Sequence, residues 1–503
     1  MYLLVAAWGL AIASPVGASP PGMESDRELD AMLSGRAQRS VDALVAQGKA
    51  PPGIQIEARM DLVTRMVIVD VVRGYVPASP GAEMEDFEGG ITNDLLDLAR
   101  TVSPASGALF RYGGKDLYQL FPSEQPVPPK STFQRDASDA VAVSAGHGVY
   151  FHHGFGDWRF QRDPSNGIIE DEVTSSYAAE LKRWLEARSS VRVYRLRSDS
   201  SALHGPSLQE WWKLAARYRL QVLYPGNPEL WNSLPGSTAS LRERDEDIRS
   251  RPLLANHIGA AAVFHLHTNA AQPSATGARV FYHEGRADDG SLARNTLCYM
   301  KELVSSLSRY KNYYFPREGD QGRHGENRLA AMPSIIVEMG FHTNPNDALA
   351  LQDPLFRTAA MKGVEKAYRL HLEGKGCEPL SVQMITDVTT SPGSRAEVEV
   401  HFEGHPQFPV TLDVEPAVCQ PGWTCYGGQV VLRQPAESPL RFQVECGAGN
   451  GGSSRWRTTM RDADGVAGVA TEHQQTCVAA ARHDASSVLR PADSNESIVR
   501  LVQ

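Results

Sequence analysis

The chain has 503 residues, 42% of them hydrophobic, and a formal net charge of -9 at pH 7. This length exceeds what one hydrophobic core normally supports, so two or three domains are expected. Acidic residues outnumber basic ones, 59 against 50, which argues against a phosphate-binding surface. Nucleic acid is therefore not expected as a partner.

The N-terminal segment is apolar or small from Tyr2 to Ala18 and ends in residues that signal peptidase accepts. We predict a signal peptide over residues 1–18 and an exported protein, periplasmic or extracellular in the cell envelope. No Lys or Arg precedes Arg27, so a buried N-terminal helix is the alternative. No later stretch reaches the roughly 18 apolar residues of a membrane span, so stable membrane insertion is not expected.

The next three segments differ in composition. Residues 19–52 are polar and small, which predicts a linker or tether, or at most a loosely packed helix. Residues 53–121 contain the β-rich run Met66–Val72 and a helical pattern of leucines, and they predict a small α+β accessory domain. Residues 122–137 are rich in proline and predict a second linker.

From residue 138 to residue 374, apolar strands alternate with amphipathic helices. This alternation predicts an α/β catalytic domain with an open, mostly parallel sheet and helices on both faces. Residues 377–482 change to period two, as in Ala396–Phe402, and predict an immunoglobulin-like β-sandwich. We expect a disordered tail over 483–503, and a catalytic domain that folds without the residues after Gly374.

Five of the six cysteines lie from Cys377 onwards, with no Cys-x-x-Cys spacing. Disulfides in an oxidising compartment are expected there, and Cys419 and Cys425 are close enough to close a small loop. Cys298 stands alone in a helical pattern and is predicted to be a small buried hydrophobic residue.

Three apolar runs end in residues of types that can bind or serve a metal, namely His147, His267 and Glu338. Ligand sites of open α/β sheets form outside the carboxyl ends of the strands, so these side chains are expected to meet in one crevice. Two histidines and one carboxylate leave a fourth position for water, as in catalytic zinc sites. A second carboxylate then carries the proton.

The remaining candidates are less specific. Glu170 opens the first helix after the strand of His147, where an acid also complements the helix dipole and Glu172 would serve equally. His265 shares a strand face with His267 and is interpreted as a supporting or core histidine. Asn269 follows in a polar turn that could bind substrate.

Five motifs occur in order between Val141 and Tyr368: Ser144-Ala-Gly-His-Gly148, Glu170-Asp-Glu-Val173, Arg251-Pro-Leu-Leu-Ala-Asn256, His265-Leu-His-Thr-Asn-Ala270 and Val337-Glu-Met-Gly-Phe-His-Thr-Asn-Pro-Asn-Asp347. Through them the region resembles the zinc-dependent N-acetylmuramoyl-L-alanine amidases of the amidase-3 family. The resemblance implies Zn²⁺ held by His147, Glu170 and His267, with Glu338 as catalytic acid/base. It also implies peptidoglycan as substrate, cleaved between N-acetylmuramic acid and the L-alanine of the stem peptide.

Two other functions fit the same residues. A zinc peptidase or deacetylase would use this chemistry on a different amide, and a catalytically silent wall-binding or regulatory protein could keep the fold. The β-sandwich could bind the wall, another protein, or nothing. Arg309–Met332 offers no apolar helical face able to plug a cleft, so we expect activity without an activator protein.

Overall fold

The computed structural model describes residues 21–128, 139–447, 451–479 and 497–502. They form two compact units, one of residues up to 78 together with 86–122, the other of 79–85 together with 123 onwards. The predicted signal peptide, residues 1–18, lies outside the described residues. Among those residues, no helix combines the length and the apolar character needed to cross a bilayer.

The first unit is a small α+β structure. Strand β1 is antiparallel to β2, β2 is parallel to β3, and β3 is antiparallel to β4. The bounds of the elements up to residue 120 are α1 (Pro21–Ala46), β1 (Gln55–Asp61), β2 (Met66–Arg73), α2 (Ala82–Arg100), β3 (Gly107–Tyr112), β4 (Lys115–Asp116) and α3 (Leu117–Leu120).

Helix α1 corrects the predicted linker over 19–52. Leu33, Ala37 and Val41 recur every four residues on one face and are completely buried. The helix also bonds to β1, because the hydroxyl of Ser34 donates to the carbonyl of Ala58 and accepts from its N–H. The linker prediction is therefore wrong: a polar sequence with one narrow apolar stripe still buries that stripe.

The predicted Pro-rich linker, 122–137, is also wrong in its first part. Glu124 is only 3% exposed and forms ion pairs with Arg249 and Arg328. The N–H of Val127 donates to the carbonyl of Arg328. The chain is thus fixed within the second unit through residue 127, and residues 129–138 lie outside the described part.

The sheet of the second unit runs in the order β13-β12-β14-β11-β5-β8. Neighbouring strands are parallel except for β12, which is antiparallel to β14. The elements are β5 (Ala140–Ala145), β6 (Tyr150–His152), β7 (Asp157–Arg159), α4 (Glu170–Trp184), β8 (Arg192–Arg195), β9 (Leu203–His204), β10 (Gln209–Glu210), α5 (Ala216–Leu223), α6 (Arg242–His257), β11 (Ala262–Asn269), β12 (Arg279–His283), α7 (Ala287–Ser305), β13 (Asp320–Gly322), α8 (Gly325–Arg328), β14 (Ser334–Phe341), α9 (Pro345–Gln352) and α10 (Pro354–Leu372).

Helices cover both faces of this sheet, as predicted. In β5, Val141 and Val143 point into a core shared with α4, α7 and α10, whereas Ala142 points into a second core with α5 and α6. The alternation follows from the two-residue period of a strand. Because β5 is buried on both faces, polar side chains that can meet a ligand are expected beyond its carboxyl end.

Residues after Cys377 form two stacked five-stranded sheets, in the orders β15-β17-β21-β24-β19 and β16-β23-β22-β18-β20. Strand β24 corrects the disordered tail predicted over 483–503, because residues 497–502 pair with β19 and β21; residues 483–496 and 503 lie outside the described part. The strands are β15 (Ser381–Ile385), β16 (Val388–Thr390), β17 (Arg395–Glu403), β18 (Val410–Val418), β19 (Trp423–Tyr426), β20 (Gly428–Leu432), β21 (Leu440–Cys446), β22 (Gly452–Arg461), β23 (Thr471–Cys477) and β24 (Ser497–Val502).

The disulfides confirm one cysteine prediction and overturn another. Cys419 bonds to Cys425, closing the small loop, and Cys446 bonds to Cys477 across the two sheets. Cys298 is not a lone hydrophobic residue, because it bonds to Cys377 over a sequence separation of 79. Spacing alone could not reveal this pair, since α7 and the end of α10 meet only in the folded chain.

The sandwich is fixed to the α/β domain by more than this disulfide. Val466 belongs to the same buried cluster as the helices of the sheet. Asp464 bonds to Arg188, which follows α4, and to Lys362 on α10. This packing argues against the expectation that the catalytic domain folds unchanged without the residues after Gly374.

Candidate metal centre

The first histidine occupies a strained turn directly after β5. His147 has a φ of 58°, in the left-handed region that few residues other than glycine adopt. Gly146 before it has no room for a side chain, because a Cβ would lie 2.5 Å from Cε1 and Nδ1 of His267. The glycine therefore lets two imidazoles approach each other.

Three side chains place one ligand atom each around a common centre. His147 Nε2 lies 3.1 Å from His267 Nδ1, and Glu170 Oε1 lies 3.3 Å from each of these nitrogens. Bonds of about 2.0–2.1 Å at tetrahedral angles would separate ligand atoms by about 3.3 Å. All three residues are buried, and the geometry and donor types fit a zinc ion.

The outer nitrogen of each histidine has its own partner. Gln161 donates through its amide nitrogen to Asp247, so its Oε1 accepts from Nδ1 of His147, at 3.2 Å. On the other ring, Nε2 of His267 lies 3.1 Å from Oε2 of Glu326. These contacts orient His147 Nε2 and His267 Nδ1 towards the centre.

The charges around the two rings differ. Burial and the Arg162 guanidinium lower the pKa of His147 to about 3. Burial also opposes the charged form of His267, but Glu326 and Glu170 outweigh it and raise the pKa of His267 to about 10. Burial likewise disfavours the Glu170 carboxylate, yet His147 and His267 hold its pKa well below the usual range. The centre therefore favours one positive charge, which a cation can supply.

The structure separates Glu170 from Glu172. Glu170 Oε1 faces the histidines and accepts the N–H of Thr268 at 2.9 Å. Glu172 instead pairs with Lys213 at 2.8 Å and is partly exposed. Asp171, between them, accepts the N–H groups of Gly148 and Gln161 and so ties down the loop that carries His147.

Glu338 lies on β14 directly beside His267 of β11 in the parallel register. Burial raises the pKa of Glu338 to about 8, and the Glu170 carboxylate contributes to the increase. Its Oε2 is shielded from solvent and has no hydrogen-bond partner among the described residues. An acid near neutral pKa beside the candidate ligands suits proton transfer.

The other two predicted residues, Asn269 and His265, lie nearby and make contacts with other groups. Asn269 Oδ1 accepts the N–H of the next residue, Ala270, so a substrate-binding role for Asn269 stays a prediction. His265 is completely buried, with Nδ1 3.6 Å from Oε1 of Glu326. The interpretation of His265 as a supporting or core histidine fits this position.

Sequence reasoning misses the residues behind the histidines, namely Gln161, Asp247 and Glu326. Arg251 stands out in the sequence only as part of a motif. Glu326 lies in Arg309–Met332, a segment notable in the sequence only for lacking an apolar helical face. Within it the structure has the short strand β13 and the one-turn helix α8. No periodicity marks these residues, because their roles depend on contacts across the fold.

Comparison with known proteins gives one family match. Residues 141–368 match the family model described as N-acetylmuramoyl-L-alanine amidase. The germination-specific N-acetylmuramoyl-L-alanine amidase of Bacillus subtilis (strain 168) is 24% identical over 147 residues, 29% of this chain and 58% of that protein. The chain thus matches little more than half the length of this curated relative.

Two solved structures illustrate the likeness. The N-acetylmuramoyl-L-alanine amidase from Clostridium difficile 630 is 17% identical, with a TM-score of 0.33 over 48% of this chain and 100% of that one. The CwlD amidase from Clostridioides difficile, solved in complex with the GerS lipoprotein, is also 17% identical, with a TM-score of 0.31 over 47% and 99% of the two chains.

Proposed function

We propose that the protein is a zinc-dependent peptidoglycan hydrolase, because residues 141–368 match the family model described as N-acetylmuramoyl-L-alanine amidase. It cleaves the amide between N-acetylmuramic acid and the L-alanine of the stem peptide. One observation carries the proposal: ligand atoms of His147, Glu170 and His267 meet within 3.3 Å of one another beside Glu338.

In this proposal His147, Glu170 and His267 would hold the metal, and three protein ligands are the number typical of catalytic zinc sites. Zinc, when bound, supplies a Lewis acid that polarises the scissile carbonyl and makes an attacking water more acidic.

Glu338 is the proton carrier. It takes the proton of the attacking water and delivers it to the amide nitrogen as the C–N bond breaks. Its pKa of about 8 in the metal-free protein allows both forms near neutral pH. Asn269, at the end of β11, is proposed to contact substrate.

Peptidoglycan lies outside the cytoplasm, so the proposal includes export to the periplasm or cell envelope. The three disulfides accord with an oxidising compartment. The sandwich is proposed to bind a wall or protein ligand.

The test is mass spectrometry of purified sacculi after incubation with the full chain and zinc. Release of stem peptides that begin with L-alanine supports the amidase, whereas shortened peptides still attached to glycan indicate a peptidase. Loss of acetyl groups indicates a deacetylase, and no change despite bound zinc indicates a silent protein.

A matched pair of variants tests the metal site. We expect His147→Ala to lose zinc and activity together, because it removes one of three ligands. Glu172→Gln, an acid two residues from Glu170 that pairs with Lys213, should keep both. Zinc stoichiometry by elemental analysis, measured beside amide cleavage, distinguishes these outcomes.

A further inference from the structure

We propose that Glu326 is a positioning residue for the metal centre, and that it orients both histidines through a closed ring of buried contacts. The inference rests on the proposed metal site but assigns a role that the catalytic scheme does not require. Glu326 touches the outer nitrogen of His267, on the side of the ring away from the centre, so it is not a ligand.

The ring can be followed contact by contact. Glu326 receives the N–H of His267 on Oε2 and an ion pair from Arg251 on Oε1. Arg251 pairs through its other terminal nitrogen with Oδ2 of Asp247.

The same Asp247 oxygen accepts the amide of Gln161 at 3.0 Å, and Gln161 Oε1 faces His147 Nδ1 at 3.2 Å. Since His147 and His267 meet at 3.1 Å across the centre, the path closes on itself.

Each contact in the ring has a defined direction. The carboxylates of Glu326 and Asp247 only accept, and Arg251 only donates. The amide of Gln161 must present its oxygen to His147 because its nitrogen is held by Asp247. When both imidazoles are neutral, the ring therefore places the hydrogen of each on its outer nitrogen and turns His147 Nε2 and His267 Nδ1 towards the centre.

Because the charged groups of the ring are buried, loss of any one of them is expected to be costly. Asp247 is 0% exposed, Arg251 is 1% exposed and Glu326 is 4% exposed. A charge removed from such a group leaves its partner uncompensated in a low-dielectric interior. Gln161 reaches the ring because the stretch after His147, with its β6–β7 hairpin, returns to the same turn.

Glu326→Gln is the decisive variant. It keeps the side-chain volume but has one acceptor oxygen, so it cannot serve His267 and Arg251 together. We expect zinc affinity to fall by about 10- to 100-fold, the usual effect of losing an outer partner of a metal-bound histidine. Affinity is measured on the full chain by competition with a chelator of known strength.

The matched control is Glu318→Gln, in the same segment. Glu318 is an exposed carboxylate paired with Arg294, and this variant should bind zinc like the wild type. The visible spectrum of the cobalt-substituted protein adds a readout of ligand geometry. It should change in Glu326→Gln and not in the control.

Gln161→Leu tests the other end of the ring and serves if Glu326→Gln fails to fold. It should also weaken zinc binding, and the double variant should lose less than the sum of the two, because contacts in one network are not additive. The inference would be overturned if Glu326→Gln bound zinc within twofold of the wild-type affinity and gave an unchanged cobalt spectrum. A lowered melting temperature of that variant would not alter this conclusion. A wild type that binds no zinc would instead overturn the proposed function itself.

Discussion

The metal centre and the contact between sandwich and helices both bury charges, but they treat them differently. At the sandwich contact, the side chain of Asp464 is 1% exposed and receives two bonds from Arg188 and one from Lys362. Burial alone would raise the pKa of Asp464, but these cations outweigh it and lower the pKa.

At the metal centre, compensation is incomplete. Glu338 and Glu170 are both acidic and close, and burial raises the pKa of Glu338 to about 8. An acid held at that pKa is poorly suited to stabilising the fold and well suited to moving protons. The difference teaches that burial alone does not decide the role of a charge: fully paired charges hold the fold together, and partly uncompensated ones are available for proton transfer.

Glu338→Gln should give the largest effect, a loss of turnover, and it tests the part of the comparison that concerns the candidate metal centre. We expect turnover to fall at least about a hundredfold, the scale of general acid/base catalysis, while zinc remains bound. Retained zinc is checked by elemental analysis, and zinc stoichiometry near zero would contradict the role given to Glu338.

The same variant is expected to lose activity but gain stability. The pKa of Glu338 rises on folding from an ordinary 4.5 to about 8, so its protonated form favours the folded state. Stability is therefore lost as pH rises through this window, and Glu338→Gln removes the loss. The metal-free variant should be at least about 1 kcal/mol more stable than the wild type at pH 8, measured by urea unfolding with chelator present.

Asp464→Asn tests the comparison from the interface and should destabilise. Removing one partner of a buried pair typically costs about 3 kcal/mol, because Arg188 and Lys362 are left facing a neutral group. Since the pKa of Asp464 is lowered on folding, its contribution is present above the ordinary value of 3.8 and is lost as pH falls through the lower, folded value. Urea unfolding at pH 7 checks the variant, and a more stable Asp464→Asn protein would break the comparison.

Joint replacement of Cys298 and Cys377 by serine should lower the free energy of unfolding but leave amide cleavage by the folded protein nearly unchanged. The disulfide closes a sequence separation of 79, and its loss should cost about 2–4 kcal/mol, mainly through a less restricted unfolded chain. Amide cleavage at low temperature should persist, because neither cysteine contacts the metal centre. A specific loss of activity with unchanged unfolding would show coupling between the two regions.

Glu172→Gln should have the smallest effect. Its pair with Lys213 is partly exposed, so stability should change by less than about 0.5 kcal/mol. Activity should match the wild type within twofold, measured beside Glu338→Gln. A loss as large as that of Glu338→Gln would mean that the two acids at the start of α4 have been assigned wrongly.

Much of the fold and the core of the site can be predicted from local pattern. Apolar strands alternating with amphipathic helices indicate the sheet, and the carboxyl ends of parallel strands meet at one edge. These two rules are enough to predict that His147, His267 and Glu338 lie together. The same reasoning fails for α1, whose stripe of Leu33, Ala37 and Val41 is too narrow to stand out in a polar segment.

The sequence by itself determined the α/β class, the sandwich and the candidate ligands, because residue type and period are written along the chain. Tertiary structure alone shows that Glu170 faces the two histidines while Glu172 pairs with Lys213, joins Cys298 to Cys377, and places Glu326 behind His267. Those outcomes depend on which distant segments share a buried volume. The burial of a carboxylate and its partners together decide whether it can bind a metal, carry a proton or only orient a neighbouring side chain. Neither is visible until the chain has folded.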